Sequence, residues 1–143
     1  MDTERPNERK TTTTAPAWLV YTASATGLLL GAAHLTVTGG LLLSEARNPT
    51  PGYLAWMLVP VLIALAIAAV PLTLIDPRRA RSPWPRRACG AIAVLTAALA
   101  LFGLAPLAFG ADPLSVFLNP GPYALACAVA FTALTLSTRK PRR

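Results

Sequence analysis

Four long apolar blocks, separated by short polar or charged segments, make up most of the chain. Hydrophobicity gathered into blocks of this length, rather than spread evenly, predicts membrane-crossing α-helices. The spans are expected at about residues 18–43, 53–75, 88–109 and 122–138. The first contains no charged residue; its 26 residues reach roughly 39 Å, more than the ~30 Å hydrocarbon core, so it tilts or is loosened at Gly39-Gly40. The second is interrupted by Pro60 and Pro71, which a span tolerates when neighbouring helices re-satisfy the freed carbonyls. The fourth, counted from Tyr123, offers only about 24 Å, so it begins nearer Pro120 or thins the bilayer locally.

The polar segments read differently from one another. Residues 1–16, with a threonine run and two prolines, have the composition of a disordered tail, and their three acids do not suit a signal peptide. Residues 45–52 form a turn around Pro49 and Pro51, and 76–87, with three prolines and five arginines, read as a loop. In 110–122, Asp112-Pro113 is a good cap pair and predicts one or two turns of helix at the outer interface, stopped by Asn119-Pro120-Gly121-Pro122. A basic tail, 139–143, ends the chain.

Lys and Arg fix the direction. Twelve of the thirteen lie in the N-terminal tail, the 76–87 loop or the C-terminal tail, and only Arg47 lies in the other two connections. The positive-inside rule therefore puts both termini on the cytoplasmic side, and Trp18, Tyr53, Trp56, Phe109 and Tyr123 stand near span ends as an aromatic belt. The expected fold class is an all-α membrane protein, an antiparallel bundle of four transmembrane helices.

Composition agrees. Hydrophobic residues make up 54% and charged residues 13%, about half the charged fraction of an average soluble domain. The net charge of +7 does not point to nucleic acid, because the basic residues flank apolar runs and are not interleaved with stacking aromatics. Eleven of the basic residues are Arg and alanine is abundant, which fits a high-GC bacterial genome and hence a bacterial cytoplasmic membrane. Arg78, Arg79, Arg81, Arg86 and Arg87 are expected to set topology and to attract anionic inner-leaflet lipids at about 1 kcal/mol each. Cys89 and Cys127 match no metal or redox spacing and fall at different depths, too far apart for a disulfide.

Candidate chemistry is confined to one face. Ser24, Gly27, Gly31, His34 and Thr38 are spaced 3, 4, 3 and 4 and share a side of the first span. Gly27 and Gly31 form a small-xxx-small pair that admits a close neighbouring helix, from this chain or a second copy. His34 is the only ionisable side chain expected inside a span, ~24 Å along the helix from Trp18. A group of this kind is either functional or a neutral imidazole bonded to Thr38, Thr36 or a neighbouring carbonyl. One histidine makes no metal site, no Asp or Glu relay accompanies it, and no serine has a base and an orienting acid. No cofactor and no enzymatic activity are expected.

The stretch AAHLTVTGG, residues 32–40, resembles the His-then-Gly-Gly segment in the first span of small four-span actinobacterial membrane proteins of unknown function. The glycines fall one residue off that spacing, and an aromatic between them is missing. The resemblance implies the four-span layout and no particular activity. The functional expectation is a structural or accessory helix-packing protein, partnered by lipid, itself or a larger membrane complex. The alternative is a homodimeric small-molecule or ion transporter with His34 lining its path.

Overall fold

A computed structural model of the chain describes residues 15–45, 51–110 and 119–138. The described residues are almost wholly helical: α1 (Ala17–Glu45), α2 (Pro51–Leu72), the single turn α3 (Pro77–Ala80), α4 (Pro83–Ala108) and α5 (Gly121–Ser137). Most of the N-terminal tail, the turn at 46–50, the surface helix expected after Asp112 and the basic C-terminal tail lie outside the described residues.

Each boundary has a local cause. The Pro16 carbonyl accepts from the amides of Leu19 and Val20 and starts α1. α1 then runs unbroken through Gly39-Gly40 to Glu45, about 43 Å, so the excess length is not absorbed by a break at the glycines. α2 continues through Pro60 and stops at Leu72, three residues before the expected end. Pro71 has no amide to donate, and the amides of Thr73, Leu74 and Ile75 bond back three residues, to Val70, Pro71 and Leu72, in a tight 3₁₀-like exit. α4 ends on Gly110, whose φ of +80° is the left-handed conformation that closes a helix C-terminus.

Residues 76–87 depart most from the loop expected there. Asp76 Oδ1 accepts from the Arg78 amide at 2.9 Å with Pro77 first in α3, and Ser82 Oγ accepts from the Trp84 amide at 3.3 Å with Pro83 first in α4. Proline needs no amide partner in a first turn and has its φ preset for helix. The prolines therefore start two helices here, and Arg86 and Arg87 belong to the first turns of α4.

α1 packs against α2 and α5, and α5 packs in turn against α4, while α2 and α4 meet only along a thin seam. Near the arginine-rich end the interior is bulky, with Val20, Leu74, Phe131 and Leu134 closing over Ala23 and Cys89. Toward the other end it narrows to Leu30, Ala100 and Ala124. There α4 and α5 touch backbone to backbone: a Cβ on Gly103 would lie 2.5 Å from Gly121 Cα, and one on Gly121 would lie 2.8 Å from the Gly103 carbonyl carbon.

Among the described residues, two helices are long and apolar enough to cross a membrane, over the stretches Ala17–Val37 and Pro83–Ala108; the apolar stretches Leu58–Leu72 and Gly121–Ser137 are shorter. Large apolar side chains cover the outside of all four long helices, among them Leu28 and Leu29 on α1, Leu62 and Ile63 on α2, Val94 and Phe102 on α4, and Val129 on α5.

Candidate functional site

The small-residue face of α1 lies on α2. A Cβ added to Gly27 would stand 3.2 Å from the Ala68 backbone, and one on Gly31 would meet Ala64 Cβ at 2.7 Å. Both glycines are buried, as are Ala64 and Ala68, so the two backbones approach where neither helix carries bulk. Ser24 is 8% exposed on this contact, and its hydroxyl makes no hydrogen bond among the described residues. The register that sets Gly27 against Ala68 and Gly31 against Ala64 continues to put His34 level with Val61, beside Pro60. His34 is half-buried. The side chain of Thr38 lies outside the described residues. Thr36, one alternative partner for the imidazole, is exposed and donates to the Ala32 carbonyl at 3.0 Å.

A second polar group, not singled out from sequence, joins three helices. The Cys127 thiol of α5 lies close to the hydroxyls of Thr26 on α1 and Thr96 on α4. Thr26 Oγ1 donates to the Ala23 carbonyl at 2.9 Å and Thr96 Oγ1 to the Ile92 carbonyl at 2.8 Å. Either oxygen therefore remains available to accept the single thiol proton. The arrangement is neutral, and it brings one residue from each of three helices to the same level. Thr26 and His34 are eight residues apart on α1, about 12 Å, so the imidazole is well out of reach of the thiol.

Cys89 is also buried, and both thiols are free. Gly90 of α4 faces Thr135 of α5, eight residues from Cys127 and hence about 12 Å along the axis, too far for a disulfide. Among the described residues no three of His, Cys, Asp and Glu gather where a metal could sit.

The five arginines of residues 76–87 occupy different settings. Arg78, Arg81 and Arg87 are exposed. Arg79 is also exposed and lies 3.7 Å from Asp76, an ion pair worth little in that setting. Arg86 is half-buried, and its Nε is fully buried with no acceptor among the described residues. Beside them a depression of about 270 Å³ is lined by Thr73, Arg79, Ser82, Trp84 and Pro85.

Comparison with protein-family models, with characterised proteins and with solved structures gives no match. The functional reading therefore rests on the physical chemistry of the chain itself.

Proposed function

We propose that the chain is a four-span integral protein of a bacterial cytoplasmic membrane, with both termini on the cytoplasmic side. In this reading it serves as a structural or accessory component that packs against itself or a larger membrane complex. The observation that carries the reading is the inverted distribution of side-chain size. Along α4 the buried positions are Pro85, Cys89, Ala93, Thr96 and Ala100, whereas Val94, Leu95, Leu101 and Phe102 point outward. A soluble monomer rarely exposes contiguous apolar surface of this extent, and in a bilayer it is the ordinary surface.

The shorter helices are compatible with spanning. α2 is about 33 Å long; α5 is about 26 Å and fits with slight local thinning. α3 and the start of α4 collect five arginines at one end, matching the cytoplasmic side inferred from the charge asymmetry. A packing role is supported by the small-residue contacts and the neutral interior, in which His34 is the one ionisable imidazole.

Single cysteines at Asn48, Ser115 and Ser82, in a background lacking Cys89 and Cys127, test the topology. A membrane-impermeant thiol reagent applied to intact cells should label the first two and spare the third. Labelling at Ser82 with protection at Asn48 would reverse the orientation. Purification from native membranes in mild detergent tests the role: recovery of the chain alone and monomeric, with no companion protein, would refute an accessory packing function.

A further inference from the structure

We propose that the depression between the exit of α2 and the first turns of α4 binds the phosphodiester headgroup of an anionic phospholipid. The inference rests on the membrane reading above and goes from a diffuse attraction of arginines for acidic lipid to one discrete site. Its wall offers the Arg79 guanidinium and the Ser82 hydroxyl. Ser82 Oγ accepts from the Trp84 amide, which leaves its proton to donate outward. Thr73 is already committed, donating to the Val70 carbonyl at 2.7 Å, so it shapes the wall without serving an anion.

Two features suit the depression to a phosphate. Arg86 follows Ser82 by four residues, on the same side of α4, and adds positive charge behind the wall without lining it. The N-terminus of α4 presents a positive dipole end, but Pro83 and Pro85 remove two of the amides that usually cradle an anion. An anion held here depends on guanidinium groups, which match phosphate oxygens in geometry and charge. The Asp76 carboxylate, the only acid in residues 76–87, is exposed and leaves Arg79 free to be shared.

The lipid source follows from the surroundings. Exposed Leu72 and Ile75 flank the exit of α2, and Trp84 on the rim is 61% exposed. These give acyl chains and a glycerol backbone an apolar surface beside the charged wall, with an indole at headgroup depth. Free phosphate would gain nothing from them.

The test is thermal unfolding of the purified full chain in neutral detergent with added phosphatidylglycerol, phosphatidylcholine or inorganic phosphate. Phosphatidylglycerol should raise Tm saturably, and the other two should not. Arg79→Gln should raise the half-saturating lipid concentration about tenfold, the worth of one charge-assisted hydrogen bond, while Arg78→Gln should leave it unchanged. Arg79 is exposed, so its variant should keep the unliganded Tm and read the site rather than the fold. An equal shift with phosphatidylcholine would overturn headgroup recognition, and an equal shift with inorganic phosphate would overturn the lipid source. An equal loss in Arg78→Gln would reduce the site to diffuse charge. Reversed thiol labelling would refute the membrane orientation and leave this detergent measurement standing, so the two readings fail separately.

Discussion

Of the described glycines, Gly103 leaves the least room for a side chain, and its contact with Gly121 gives the sharpest stability prediction. A methyl at Gly103 would sit 2.5 Å from Gly121 Cα and 2.9 Å from its nitrogen, where carbon atoms prefer about 3.5–4.0 Å. The obstacle is backbone, so no side chain can rotate aside, and α4 and α5 must separate by about 1 Å. Overpacking of this kind costs about 1–3 kcal/mol, against about 1 kcal/mol regained because alanine favours helix over glycine. Gly90→Ala supplies the control: its methyl would meet Thr135 Cγ2 at 3.8 Å, an ordinary contact, so the helix-propensity gain should appear undiminished. Equilibrium unfolding in mixed micelles, followed by circular dichroism, should therefore rank Gly90→Ala above wild type and Gly103→Ala below it. Gly121→Ala should resemble Gly103→Ala, and the double variant should cost less than the sum, because one separation relieves both clashes. A Gly103→Ala protein as stable as Gly90→Ala would show that the two backbones do not touch.

Two further predictions follow from the α1 face. Gly31→Ala should destabilise by pressing on Ala64 Cβ, and Ala64→Gly in the same chain should restore most of the loss in the same assay, whereas Leu29→Ala, on an exposed position, should do less than Gly31→Ala. His34→Gln should cost about 0.6–2 kcal/mol, the worth of an interhelical hydrogen bond, and should complement a deletion strain; folded His34→Gln and His34→Leu proteins that fail to complement would favour the transport alternative.

What the sequence disclosed depended on whether the informative residues lay near one another along the chain. Gly27 and Gly31 are one turn apart on one helix, so their shared face was legible, although Ala64 and Ala68 opposite them were indistinguishable from the rest of an alanine-rich helix. Gly103 and Gly121 lie on different helices, and Gly121 sits in Asn119-Pro120-Gly121-Pro122, which reads as a stop; only the antiparallel register reveals them as partners. The Thr26–Thr96–Cys127 group was invisible for the same reason, with one residue on each of three helices. Residues 76–87 were misread through proline. Asp76-Pro77 and Ser82-Pro83 are the same cap-and-start pair recognised at Asp112-Pro113, but arginine density and proline count suggested a loop.

The make-up of the interior suits the bilayer proposed for the chain. Lipid is as apolar as leucine, so burying a leucine in a membrane protein gains little over leaving it outside, and helices associate through close packing and local hydrogen bonds. Small residues then belong inside, where they let backbones approach and multiply dispersion contacts, and large ones belong outside. α4 follows this rule along its length, with Cys89, Ala93, Thr96 and Ala100 inward and Leu95, Leu99 and Phe102 outward. The threonines fit because each hydroxyl is satisfied by its own helix: Thr22 by the Trp18 carbonyl at 2.8 Å, Thr96 by Ile92 and Thr135 by Phe131 at 2.7 Å. Among the exceptions, Val20, Leu74, Phe131 and Leu134, the largest is Phe131. Wholly buried at the arginine-rich end, it holds the helices apart there, while Gly103 and Gly121 let α4 and α5 close at the other. In water the same chain would expose its largest apolar side chains and bury its smallest, forfeiting most of the hydrophobic gain that folds a soluble protein. The pattern of size, more than helix length, is the physical ground for proposing a bilayer as the chain's surroundings.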